Sequence, residues 1–252
     1  MNQALQLALP HQQLRLYYQA QLDHQHHLIG VEVLLRWAHP QRGMLEPHDF
    51  IALAEESGAI VPIGKWVLEM ACAQIAHWSK RAETAALQIA VNVSLREFSQ
   101  PDFVEQVQQT LAASAADPAR LLIELKESLI NLEPTGAAAK MRALKALGVS
   151  LALDDFGTGV SSLATLATLP LDQLKIDRSL TAGLDAEREP HNLLVAQSII
   201  ALGHTLGMDI LAEGVETEMQ RAFLQRHGCL AYQGYLMGRP LALEAFESAY
   251  LQ

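Results

Sequence analysis

A chain of 252 residues, half of them hydrophobic, can bury one large core, and its net charge of −10 excludes a general basic surface for nucleic acid, which needs clustered Lys and Arg. Its two cysteines, Cys72 and Cys229, lie far apart and in no CxxC pattern, which excludes a disulfide framework or zinc ribbon and fits a reducing cytoplasm. No apolar run approaches the roughly 20 residues of a membrane span, and the start lacks a signal peptide's basic-then-apolar layout, so no membrane contact is expected from this segment.

The opening MNQALQLALPHQQ (1–13) reads as a lead-in helix, and it is equally a place where a longer protein continues upstream. Strands LRLYYQ (14–19) and LIGVEVLLR (28–36) follow, then a helix over 62–80 and the strand LQIAVNV (87–93). A helix over 101–114, the strand RLLIEL (120–125), a helix over 134–147 and the strand VSLALD (149–154) continue the alternation. A helix over 161–168, the strand LDQLKI (171–176), a helix over 190–206, the strand MDILAE (208–213), a helix over 217–227, the strand LAYQG (230–234) and a last helix near 242–250 complete it. Eight strands alternating with helices predict one α/β domain over 1–252, a TIM-like (β/α)₈ barrel. The link LDHQHH between the first two strands is too short for a crossover helix, so the first strand is predicted antiparallel to the second.

Each strand after the first carries a polar residue near its C-terminal end: Glu32, Asn92, Glu124, Asp154 with Asp155, Lys175, Glu213 and Gln233. In barrels of this class that end holds the active site. Strand parity puts Glu32, Leu34 and Arg36 on one face, and likewise Ala90 with Asn92, Ala152 with Asp154, and Gln173 with Lys175, leaving most bulky Val and Leu on the helix side. Asp154 and Asp155 reach one site only if the strand ends or bends between them, and Gly157 and Gly159 supply freedom for a bend. Adjacent carboxylates repel unless cations share them, and oxygen donors from Glu, Asp and Asn suit Mg²⁺, Mn²⁺ or Ca²⁺. Two such ions about 3.5–4 Å apart clamp a phosphodiester for in-line attack by water.

These motifs resemble the EAL-domain phosphodiesterases that linearise cyclic di-GMP, and the pieces stand in family order: YYQAQ (17–21), EVLLRW (32–37), VNVS (91–94), IELKES (123–128), DDFGTG (154–159), KIDRS (175–179), EGVE (213–216) and QGYLMGRP (233–240). The resemblance implies a barrel with a reversed first strand, hydrolysis of cyclic di-GMP to linear pGpG, and two divalent cations, Mg²⁺ or Mn²⁺, with Ca²⁺ expected to inhibit. It implies metal ligation by Glu32, Asn92, Glu124, Asp154, Asp155 and Glu213, with Lys175 beside the attacking water. Glu32, Lys175 and Glu213 become the catalytic candidates, and either Lys175 or Glu213 takes the water's proton. Gln19, Leu35, Arg36 and Gln233 fall to the substrate, while Glu127 and Glu216 stabilise loops. A homodimer and an upstream sensor or GGDEF domain are further implications. The chain departs from the family at Val33 for Ala, Ala20 for Pro, Lys126 for Thr and Val160 for Tyr, the last two in or near the loop linking metal site to dimer contact.

Plainer readings stand beside these. His24, His26 and His27 read as a solvated hairpin turn rather than a metal site, and Gly157-Thr158-Gly159 as a hinge rather than a phosphate loop. Arg36 is alternatively a rim salt-bridge partner, Lys175 a snorkelling lysine, and Glu213 and Glu216 an acidic loop. Cys72 and the three tryptophans read as core, with Trp37 alternatively near the ligand. Two rival functions remain: a binding module that senses cyclic di-GMP without cleaving it, and a barrel hydrolase for another phosphodiester.

Overall fold

The computed structural model of the chain describes residues 1–128, 134–157, 163–185 and 190–251. Its strands are β1 (Leu14–Asp23), β2 (Leu28–His39), β3 (Gly43–Leu45), β4 (Gln88–Val93), β5 (Leu121–Lys126), β6 (Ser150–Phe156), β7 (Gln173–Ile176), β8 (Asp209–Ala212), β9 (Ala231–Tyr232) and β10 (Leu241–Ala242). From β2 through β4 to β9 successive neighbours run parallel, and β1 closes the ring by pairing antiparallel with both β2 and β9. The result is a closed eight-stranded barrel whose first strand is reversed, with β3 and β10 added at its rims.

The reversal follows from the short turn at 24–27. Asp23 Oδ1 accepts the backbone N–H groups of Gln25 and His27, both at 2.8 Å, and Asp23 Oδ2 lies 3.2 Å from His27 Nδ1. The three histidines therefore sit in a carboxylate-organised turn at the start of β2, away from the strand ends that carry the acidic residues.

Alternation sorts the residues as a barrel requires. Val31, Val33, Ile89, Val91, Ile123, Leu125, Leu151, Leu153, Leu174 and Ile176 belong to the large core between barrel and helices. Ala90, Leu122 and Ala152 form a separate small cluster, packed inside the barrel. The two alanines on that inner face leave room above them for polar side chains. Trp37 is fully buried, donates from Nε1 to Gln13 Oε1 at 3.1 Å and lies edge-on to Phe50, so it is core rather than ligand contact.

Three helical segments escape the hydrophobic periodicity: Pro47–Ser57, Leu95–Phe98 and Arg178–Ala182. The first is held by its ends rather than by a long apolar stripe, since only Phe50 and Ala54 are buried. Pro47 starts it, Glu46 and Asp49 cap each other's backbone, and Gly58 ends it at φ +80°. The lead-in helix is shorter than expected, Asn2–Ala8. Its turn-forming Pro10, with Gln12 at φ +52°, stops it before β1. Among the described residues no helix is long and apolar enough to cross a membrane.

Candidate metal-binding active site

Lys175 is the hub of the site. Its side chain is fully buried on the inner face of β7, and its ammonium lies 2.5 Å from Glu213 Oε1, 2.6 Å from Glu124 Oε1, and 3.6 Å from both Glu32 Oε2 and Asp154 Oδ1. Four carboxylates from four different strand ends thus converge on one nitrogen. Burial alone would lower the Lys175 pKa, but Asp154, Glu124, Glu213 and Glu32 together raise it well above the usual lysine value. It is held as an ammonium, not a snorkelling surface lysine.

Asp155 reaches the cluster by a backbone device. The β6–β7 register shifts between Leu153 and Phe156, and Asp155 itself takes φ +57°, a left-handed conformation unusual for a residue other than glycine. The bulge cancels strand parity, so Asp154, Asp155 and Glu213 each offer a carboxylate oxygen within 4.8 Å of the other two. The bend thus falls on Asp155 as well as on Gly157, at φ +97°, while Gly159 and Val160 lie outside the described residues. Glu127 is buried, and its Oε2 accepts the Gly157 N–H at 3.3 Å, tying the end of β5 to this turn.

Amides fix the opposite side. Asn92 Nδ2 donates to Glu32 Oε1 at 2.6 Å, and Gln233 Nε2 donates to Glu32 Oε2 and, at 3.1 Å, to Gln19 Oε1. Gln21 Nε2 donates to Gln233 Oε1 at 2.9 Å, and Gln19 Nε2 to the Gly238 carbonyl at 3.0 Å. Gln21 is absent from the residues picked out by sequence, although its two-residue spacing from Gln19 puts both on the inner face. Gly234, between Gln233 and Tyr235, is needed for close approach: a Cβ there would lie 2.2 Å from the Val215 backbone.

The rim residues divide. Arg36 Nη1 donates to the Leu35 carbonyl at 3.0 Å, its Nη2 lies 3.7 Å from Glu46 Oε1, and the guanidinium sits 5.5 Å from the Tyr17 ring centroid. The exposed Glu46 is therefore a weak rim partner. Leu35 packs in the outer core with Val33 and Trp37, and the strand turns half-buried Leu34 toward the site instead. Only the Leu35 carbonyl is tied to Arg36. Glu216 stays outside the cluster with an exposed side chain, and its backbone N–H donates to Gln220 Oε1 at 2.7 Å.

The donor set fits divalent cations. Glu124 Oε1 and Oε2 and Asp154 Oδ1 are buried, and among the described residues no hydrogen-bond donor is aligned on them; Lys175 meets them only as a charge. Buried carboxylate oxygens left this way have lone pairs available to a cation. Burial pushes Glu124 well above the ordinary carboxylate range against the pull of Lys175, with Glu32, Asp154 and Glu213 pushing the same way as burial. Burial likewise pushes Glu213 up to about 8, opposed by Lys175 and reinforced by Asp154 and Glu32. A cluster that resists carrying its full negative charge in a protein-only site is one that an added cation neutralises. Asn92 is exposed and Asp155 and Glu213 partly so, whereas Glu124 and Lys175 are closed in, so the cluster opens to solvent on one side.

Fold and site together define a (β/α)₈-type barrel with a cluster of oxygen donors suited to cations at its strand ends. The chain belongs to the EAL domain family, which matches residues 2–240. Among curated relatives it is 42% identical, over 95% of its length, to MucR of Pseudomonas aeruginosa, named a bifunctional diguanylate cyclase/cyclic di-GMP phosphodiesterase. It is 35% identical over 98% of its length to the cyclic di-GMP phosphodiesterase PdeR of Escherichia coli. The chain spans about a third of the length of these curated relatives. The solved PaMucR phosphodiesterase in complex with cyclic di-GMP is 41% identical, with a TM-score of 0.93 over 97% of this chain and 98% of that one.

Proposed function

We propose that this domain hydrolyses cyclic di-GMP to linear pGpG by metal-assisted attack of water on phosphorus. The observation that carries the reading is the convergence of Glu32, Asn92, Glu124, Asp154, Asp155 and Glu213 around Lys175, with buried carboxylate oxygens unmatched by hydrogen-bond donors. The likeness to relatives named as cyclic di-GMP phosphodiesterases supports the choice of substrate. Two ions, Mg²⁺ or Mn²⁺, bound to these six residues would lower the pKa of water and neutralise charge building on the phosphate.

The chain's own groups do the rest. Lys175, already charged and in contact with Glu124 and Glu213, acts as a donor that orients the nucleophile rather than as a base. Glu213, the partly exposed carboxylate at the mouth, is the group suited to receive the proton. Gln233 and Asn92 hold Glu32 in one rotamer, and Gln19 with Gln21 braces Gln233. Arg36 offers its guanidinium fork to a substrate phosphate by leaving the weak contact with Glu46. In the whole protein we extend the reading to a homodimer, as the family resemblance implies, and to a sensor or GGDEF domain, which a relative about three times as long and named a diguanylate cyclase as well supports.

Chromatography of cyclic di-GMP incubated with purified protein and Mg²⁺ or Mn²⁺, beside an EDTA control and a Glu32→Ala variant, tests this. pGpG that disappears in both controls is the expected result. Intact substrate together with measurable binding would instead make the domain a receptor.

A further inference from the structure

A second lysine attends the acidic cluster, and its situation differs from that of Lys175. Lys126 ends β5 in register with Asp154, and its ammonium reaches Asp155 Oδ2 at 2.7 Å. Its side chain is 62% exposed, whereas that of Lys175 is fully buried. One cation is therefore built into the barrel and the other is a tethered charge that can swing into solvent. Asp155 needs such a charge, because its left-handed backbone draws its carboxylate within 4.8 Å of oxygens of Asp154 and Glu213. The oxygen that Lys126 contacts belongs to the carboxylate a divalent ion would have to share.

We propose that Lys126 is a displaceable counter-cation: it neutralises the Asp155 side of the cluster when no metal is bound, yields Asp155 to a divalent ion, and so raises the ion concentration at which the site fills. This inference rests on the metal-site reading given above. Exposed lysine–carboxylate pairs are weak and screened by salt, so the competition amounts to a bias on the order of two- to fivefold in metal affinity.

Calorimetric titration of EDTA-treated, dialysed protein with Mn²⁺, comparing wild type, Lys126→Thr, Lys126→Gln and Lys126→Arg, tests it, with melting curves of the same metal-free samples. Lys126→Thr and Lys126→Gln should bind Mn²⁺ about two- to fivefold more tightly at low salt, the gap narrowing as salt is added. Both should melt lower than wild type without metal, having lost the counter-charge, while Lys126→Arg stays close to wild type in both measurements. A lysine that is merely structural would not move stability and metal affinity in opposite directions. Equal or weaker Mn²⁺ affinity in the two uncharged variants overturns the proposal while leaving the metal site standing. Absence of Mn²⁺ binding in all four proteins overturns both.

Discussion

Lys175 and the carboxylates around it are held in an unsolvated balance, and the balance has measurable consequences. Removing this buried cation leaves Glu124, Glu213, Glu32 and Asp154 facing one another. Lys175→Met should therefore cost the metal-free protein about 3–5 kcal/mol in urea unfolding, and divalent ions should restore part of it by supplying the missing charge. Equal stability with and without the lysine would contradict the geometry. Titration provides an independent check. Burial pushes Glu97 up to about 7 against the pull of Ser94, and Glu213 up to about 8, from an ordinary value of 4.5. Each group binds its proton more tightly folded than unfolded, so its contribution to stability is fully present below about pH 4.5 and is lost as pH rises through 7 to 8. Metal-free protein should accordingly be more stable at about pH 5.5 than at about pH 8.5, and saturating divalent ions should flatten the difference by favouring ionised Glu213. A stability profile that climbs over this range would exclude these two carboxyls as its source. Among single residues, parity on the strands made Glu32, Asn92, Asp154 and Lys175 legible as neighbours. Lys126 on Asp155 was not, since an exposed side chain's partner depends on where a bulge aims the other residue.

At the level of elements, β4 delivers Asn92 and passes at once into the short helix Leu95–Phe98, whose placement depends on a glycine in a different helix. Ser94 and Glu97 cap each other, and the buried Glu97 carboxylate lies directly against Gly64 in the helix Ile60–Trp78. A Cβ on Gly64 would fall 1.4 Å from Glu97 Oε1. Glycine to alanine inside a helix ordinarily gains about 1 kcal/mol, but here overpacking wins, and Gly64→Ala should lose about 1–3 kcal/mol. Combining it with Glu97→Ala should cost less than the sum of the two single changes by at least ~0.5 kcal/mol in denaturant unfolding. Additive losses, or a more stable Gly64→Ala, would refute the packing argument. Helix existence and strand order were readable from periodicity because buried stripes repeat along the chain. The helix Pro47–Ser57 was not, because caps and a proline hold it with two buried residues, and neither was the bulge of β6, which no alternation pattern encodes.

The whole barrel is closed by its ends. The reversed β1 joins β2 to β9, and the helix Leu243–Tyr250, beyond the family match at residue 240, covers the outer face of β1. Phe246 is fully buried there, with ring centroids 6.0 Å from Tyr18 and 6.1 Å from Trp78, while Trp78 Nε1 donates to Glu247 Oε1 at 2.7 Å. Phe246→Ala should destabilise the domain by about 3–5 kcal/mol in chemical denaturation, and a loss under about 1 kcal/mol would mean the helix does not seal the barrel. By itself the sequence determined the order of strands and helices, the reversal of the first strand, the inward parity of the polar residues and the family to which the chain belongs. Those are consequences of local periodicity, connection length and residue type, all carried along one dimension. Only the tertiary structure decided that Asp155 turns into the cluster, that Gln21 braces Gln233, and that Lys126 meets Asp155. Each of these depends on how a bulge, a register or a neighbouring strand orients a side chain in space, and such orientations arise only when the barrel has closed.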